Sequence, residues 1–285
     1  MQLEKQVPSV DGSASRSHRW GVILAGGDGK RLLPLTRRIM GDDRPKQFSS
    51  LMGRETLLQQ TQCRVSRLLK RWQTLLVLTQ THEQFYADHV ADMPSGSLVV
   101  QPQNQGTAPA ILYSLMRVRE MDPNGSVAFF PSDHYFSDDD AFRAHADSAF
   151  VAAESRPDLV FLLGITPDSP EAEYGWIEPG APLEGSASDS IRRISGFWEK
   201  PSSELACSLM ERGCLWNSFV MVGRVQTFLG LINRALPQLL SSFEAVRALL
   251  FTRAEQETLR NLYSGLSDIN FSRHVLAAQT RGNIL

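Results

Sequence analysis

Cysteine is scarce in this chain and carries no pattern. The three residues, Cys63, Cys207 and Cys214, are odd in number and include no C-x-x-C pair, which argues against a disulfide framework or a zinc ribbon. The six histidines are scattered without the spacing of metal ligands. Long apolar runs are absent as well. None approaches the ~20 residues that cross a bilayer, so no membrane partner is expected. Nor is there an excess of charge of one sign: a net −2 gives no basic field to favour nucleic acid or anionic lipid. Affinity for an anion must therefore be local. The opening MQLEKQVPSVDGSASRSHRW lacks the apolar stretch of a secretory signal. It predicts a mobile tail over residues 1–17, a folded domain over residues 18–285, and the cytoplasm as the compartment.

What is present is an alternation of two periods. Short apolar runs rich in Val, Ile and Phe at residues 22–25, 75–78, 98–100, 127–130 and 160–163 predict buried strands. Between them lie helical patterns. One carries Leu57, Leu58, Val65, Leu68 and Leu69 on a single face, a second runs from residue 107 to about 120, and a third from 139 to about 153. The expectation is an α/β fold: a mixed, mostly parallel sheet with helices on both faces, because right-handed crossovers put them there. After residue 164 the pattern loosens, and 176–178, 191–199 and 219–222 read as further strands. PDSPEAEY and EPGAPLEGSASDS are loops.

The first strand runs into Gly26-Gly27-Asp28-Gly29. Several backbone N–H groups can converge there on one anion, since glycine alone accepts the conformations and the close approach. Arg31 adds a planar fork of donors, and Lys46 a second cation. Read alone, the loop serves equally as a strand-to-helix turn with both cations solvated. A Walker A loop is excluded, because Leu24 stands where its first glycine belongs and Arg31 where its Ser or Thr belongs. A Rossmann G-x-G-x-x-G is excluded by Leu32.

Further on, FFPSDHYF leaves Asp133 at the carboxyl end of a strand. One carboxylate there can hold a Mg²⁺ shared with nucleotide phosphates, although alone it reads first as a turn or cap residue. Tyr174-Gly175-Trp176-Ile177-Glu178, Phe197-Trp198-Glu199-Lys200-Pro201 and Leu215-Trp216-Asn217-Ser218 combine apolar rings, carboxylates and an amide, which suits a sugar. Each tryptophan taken singly reads as core.

In this order GGDGKRLLPLT, RPKQF, ETLLQQT, GTAPAI, PSDH, YGWIE, FWEKP and LWNSF resemble the sugar-1-phosphate nucleotidylyltransferases, specifically the mannose-1-phosphate guanylyltransferases. The resemblance runs from residue 21 to about 222, with a weaker echo at 268–276. It implies a Rossmann-like nucleotidyltransferase fold and the Mg²⁺-dependent conversion of GTP and mannose 1-phosphate into GDP-mannose and pyrophosphate. It is compatible with a homodimer. Carried over position by position, Arg31, Lys46, Asp133 and Lys200 are the expected catalytic residues, with Asp133 as metal ligand. The nucleotide side falls on Ala25, Gly26, Gly27 and Gly29, and on the base-reading segment with Gln101, Thr107 and Pro109. The sugar-phosphate side falls on Gly175, Glu178, Glu199 and Asn217.

Three positions depart from the family pattern. Its E-P-x-x-R-N-T-A-P reads Gln101-Pro102-Gln103-Asn104-Gln105-Gly106-Thr107-Ala108-Pro109 here, without the Arg and Asn. Its S-I-D-Y becomes Asp268-Ile269-Asn270-Phe271, and the chain stops at Leu285, before the later W-S-D-x-G. Asp133 is accordingly expected to have no partner carboxylate from that region. The rival expectations are transfer to another sugar 1-phosphate or from another nucleotide, and a non-catalytic nucleotide-sugar binding protein.

Overall fold

The computed structural model describes residues 18–51, 53–184 and 191–279. The tail expected over residues 1–17 and the tip of the second Pro/Gly/Ser-rich loop, 185–190, lie outside the described residues. In chain order the elements are β1 (Arg19–Leu24), α1 (Leu33–Met40), α2 (Leu57–Ser66), β2 (Thr74–Thr79), α3 (Glu83–Val90) and β3 (Leu98–Gln101). Then come α4 (Thr107–Met121), β4 (Ser126–Pro131), α5 (Asp139–Ser155), β5 (Val160–Ile165), β6 (Gly175–Pro182) and β7 (Arg192–Glu199). The last are α6 (Ser203–Glu211), β8 (Leu215–Arg224), α7 (Val225–Ala235), α8 (Pro237–Val246) and α9 (Glu255–Ser264).

These strands join one sheet in the order β3-β2-β1-β4-β8-β6-β7, with β5 also paired to β8. β1 runs parallel to β2 and to β4, and β2 parallel to β3. β8 is antiparallel to β4, β5 and β6, and β7 to β6. Six strands therefore point one way and β7 and β8 the other, so the sheet is mixed and mostly parallel in direction. β8 changes neighbours along its length. Leu215 and Trp216 pair with β6, Met221 to Arg224 with β4, and Phe219 between them takes a left-handed φ of 60°.

The strand period of two sorts the core residues onto two faces. Val22, Leu75, Val77, Val127 and Phe129 pack with α4, α7, α8 and α9, through Ile111, Phe228, Phe243 and Tyr263 among others. Their neighbours Ile23, Leu76, Leu78, Ala128 and Phe130 pack on the other face with Leu58 and Val65 of α2 and Phe142 and Phe150 of α5. Helix starts follow local chemistry. Thr56 and Gln59 form a reciprocal capping box before α2, and Asp138 accepts the first free amides of α5. α9 is fixed to α4 by a buried polar set: Tyr113 Oη donates to Glu255 at 2.6 Å, and Arg117 pairs with the same carboxylate.

The order β3-β2-β1-β4 positions the site. The chain leaves β1 toward β2 and β3, then returns to the other side of β1 as β4. The crevice outside the carboxyl ends of β1 and β4 is the switch point where such sheets bind ligands. The glycine loop follows β1 and Asp133 follows β4, so both stand at that crevice.

Candidate active site

The loop after β1 is held through its carbonyls. Gln47 Nε2 donates to the carbonyls of Ala25 (3.0 Å) and Gly27 (2.7 Å), and Thr79 Oγ1 to that of Gly26 (2.8 Å). Tied in this way, the negative ends of the peptides are kept off an anion approaching the amides. A side chain at Gly26 would meet Gln101 Nε2 at 2.7 Å and Thr79 Oγ1 at 2.8 Å, so the close approach of β2 and β3 requires glycine. Gly27 has nothing within 4 Å of where a Cβ would stand, which leaves room there for a ligand. Gly29, at φ 62°, lies against the Lys46 backbone.

The cations meet carboxylates. Lys46 Nζ stands 2.5 Å from Asp133 Oδ2, across the mouth of the crevice. The backbone before Asp133 is pinned to β1 by Ser132, whose Oγ donates to the Leu24 carbonyl at 2.7 Å. Burial pushes the Asp133 carboxyl up, but His134 and Lys46 outweigh it and hold the group below its ordinary range. Burial pushes His134 down, with Lys46 and Arg64 adding to that against the pull of Asp133. Arg31 Nη1 donates to Glu173 Oε2, and Lys200 Nζ lies 3.5 Å from the same oxygen. Lys200 itself has φ 53°, an uncommon state for a residue with a side chain and one that gathers at functional positions.

On the sugar side, pairing decides which residues meet. β6 and β7 align Gly175 with Glu199 and Trp176 with Trp198. Gly175, Glu199 and Asn217 thus share a face, with the Gly175 Cβ direction 3.0 Å from Glu199 Oε2 and 3.3 Å from Asn217 Cβ. Asn217 Oδ1 accepts from the Phe219 amide at 3.0 Å, which fixes the side chain. Glu178, three residues beyond Gly175, falls on the opposite face. There it pairs with Arg212, whose guanidinium lies over the Trp198 ring at 5.5 Å. The structure does not bring Glu178 to the other predicted sugar-side residues. Of the tryptophans, Trp176 is fully buried with Ala206, Leu209 and Cys214, and the partly buried Trp216 packs edge-on against it.

The segment 101–109, expected from the sequence to read the base, is stitched to residues 268–276. Ala108 N donates to the Ile269 carbonyl (2.9 Å), Ile269 N to that of Gln105 (3.0 Å), and Phe271 N to Thr107 Oγ1 (2.8 Å). Gln101 is oriented by Tyr263 Oη, which donates to its Oε1 at 3.1 Å. Gln103 and Gln105 donate to the Tyr263 carbonyl at 2.9 and 3.4 Å. Asn270 caps the last helical turn by accepting from Arg273 N at 2.9 Å. Pro109 is buried in the first turn of α4. The substituted residues of this segment thus have local structural roles.

Sequence reasoning missed Gln47, Thr79, Tyr263 and Glu173. Gln47 stood inside RPKQF and could have been noticed. The others act from elements with no motif of their own.

A sequence model of the nucleotidyl transferase family matches residues 20–246. The chain belongs to that family. It is 29% identical over 253 residues to the mannose-1-phosphate guanylyltransferase of Escherichia coli K12, covering 85% of this chain and 52% of that protein. It is 31% identical over 223 residues to the alginate biosynthesis protein AlgA of Pseudomonas syringae, covering 76% and 44%. The chain thus spans about half the length of these relatives. Among solved structures, the mannose-1-phosphate geranyltransferase from Thermus thermophilus superposes with a TM-score of 0.79 at 30% identity, over 94% of this chain and 73% of that one. The mannose-6-phosphate isomerase from Helicobacter pylori shares the fold, with a TM-score of 0.71 at 20% identity over 94% and 96%.

For a nucleotidyl transferase the arrangement is chemically coherent. Three cations from distant parts of the chain rest on two carboxylates, Lys46 on Asp133 and Arg31 with Lys200 on Glu173, and the work asked of a phosphoryl-transfer site is positioning and charge neutralisation. Among the described residues no group of three or more His, Cys, Asp or Glu side chains could hold a metal. Asp133, half-buried beside Lys46, is one carboxylate, which fits an ion completed by phosphate oxygens and water. No helix among the described residues is long and apolar enough to cross a membrane.

Proposed function

We propose that the chain transfers a guanylyl group from GTP to mannose 1-phosphate, releasing pyrophosphate and forming GDP-mannose. The observation that carries this reading is a pair of cation groups on carboxylates: Lys46 on Asp133 after β4, and Arg31 with Lys200 on one oxygen of Glu173. The Glu173 oxygen between Arg31 and Lys200 occupies a position that a phosphate oxygen would take. The loop amides and Arg31 would bind the triphosphate, and Lys46 would neutralise charge on the leaving side. Lys200 would orient the sugar phosphate, whose oxygen forms the new bond to the α-phosphorus. The bond from that phosphorus to the bridging oxygen breaks, and its electron pair leaves with pyrophosphate. No enzymic nucleophile is needed. Asp133 would hold Mg²⁺, which supplies charge neutralisation on the phosphates when bound. Gln101 and Thr107 would face the base, and Glu199 and Asn217 the sugar hydroxyls.

The test is pyrophosphate release across a panel of nucleoside triphosphates and sugar 1-phosphates. The expected outcome is a preference for GTP with mannose 1-phosphate, dependent on Mg²⁺. Preference for another pair would reassign the substrates within the family. Nucleotide binding without turnover on any pair would favour a binding protein and overturn the catalytic reading.

A further inference from the structure

Glu173 belongs to none of the motifs above. It lies in the loop between β5 and β6, immediately before Tyr174, whose carbonyl accepts from the Lys200 amide at 3.2 Å. The Glu173 amide itself donates to Glu171 Oε1 at 3.1 Å. The loop is therefore tied both to itself and to the turn carrying Lys200. Glu173 Oε2 accepts from Arg31 and stands 3.5 Å from Lys200 Nζ. A single carboxylate oxygen so bridges the cation assigned to the nucleotide and the cation assigned to the sugar phosphate.

Two features make this more than a stabilising ion pair. All three side chains are well exposed, at 64% for Arg31, 54% for Glu173 and 39% for Lys200, and exposed pairs add little to folding. The bridged position is also where a phosphate oxygen must sit if Arg31 and Lys200 are to act on one reaction. Without an anion there, the two cations would repel each other. Resting on the function proposed above, we infer that Glu173 is an internal anion. It holds Arg31 and Lys200 together until substrate phosphate displaces it. Glu173 is a positioning residue with a cost, because it competes with the substrates for the same donors. That competition weakens phosphate binding and speeds the departure of product.

The experiment compares the full chain with Glu173→Gln, Arg31→Ala and the double variant, using inorganic pyrophosphate as the probe in calorimetry. Glu173→Gln keeps the shape and loses the charge, and its melting temperature is expected to match the parent. Pyrophosphate should bind about three- to tenfold tighter to Glu173→Gln, as loss of one or two exposed ion pairs allows. Measured against Arg31→Ala, the double variant should show a smaller gain, because only Lys200 is then released. In turnover, KM for GTP and mannose 1-phosphate should fall while kcat does not rise. Unchanged or weaker pyrophosphate binding in Glu173→Gln overturns the role of Glu173 as a displaceable gate, as does a gain that Arg31→Ala leaves undiminished. A chain that binds pyrophosphate but turns over no substrate pair overturns the catalytic reading, with the gate still decided by the binding comparison. Pyrophosphate binding to neither chain overturns both.

Discussion

At the scale of single residues, Glu199 is a carboxylate that burial makes costly. Burial pushes its carboxyl above the ordinary glutamate range, against the pull of Lys200, Arg273 and a hydrogen bond from Ser272. A raised carboxyl favours folding in its protonated form. Its contribution is therefore fully present below the ordinary range near 4.5 and lost as pH rises through the raised value. Glu199→Gln removes that loss. The variant is expected to melt at or above the parent at pH 7, with the difference shrinking toward pH 5, while use of sugar 1-phosphate falls. A melting-temperature series over that range checks it, and a variant less stable at pH 7 than at pH 5, relative to the parent, would contradict it. Residue type alone picked out Gly175, Glu199 and Asn217, and the structure gathers these on one face. It was not enough for Glu178, because the face of a strand residue depends on where the strand starts, and YGWIE does not say. The tryptophans were legible as core by size, and the structure packs Trp176 and Trp216 there.

Among elements, the strands were legible and their order was not. Runs such as residues 75–78 and 127–130 are apolar at every position because both faces are covered by helices. The pairing of β8 with β4 joins residues about a hundred positions apart, and no local pattern encodes it. Helices α7 to α9 close one face of the sheet, and α9 reaches the site through Tyr263. The segment at 268–276 then straps the loop that leads into α4. Its weak point is Gly106, which has φ 83° and whose Cβ would fall 2.5 Å from both Asp268 Oδ1 and the Ile269 carbonyl. Gly106→Ala is therefore expected to cost about 1–3 kcal/mol of stability. It should also speed hydrogen exchange at the Ala108 and Ile269 amides, whose bonds hold the strap. Denaturant unfolding and exchange by NMR check both parts. An alanine variant with parent stability and protection would show that the strap does not depend on this contact.

For the whole molecule, the fold gathers charges the sequence keeps apart. Arg31 follows β1, Lys46 precedes α2, Asp133 follows β4 and Lys200 follows β7. The tertiary fold pairs them, Lys46 with Asp133 and Arg31 with Lys200 through Glu173. Neither Arg31 nor Lys46 belongs to either large core cluster, so removing them tests chemistry apart from folding. The most direct measurement is kcat/KM for pyrophosphate release in Arg31→Ala and Lys46→Ala, with melting temperatures recorded in parallel. Each variant is predicted to lose at least about 2.7 kcal/mol of transition-state stabilisation, roughly a hundredfold in rate, with its melting temperature close to the parent's. Parent-level turnover in both variants would contradict the claim that this crevice is where the phosphates react.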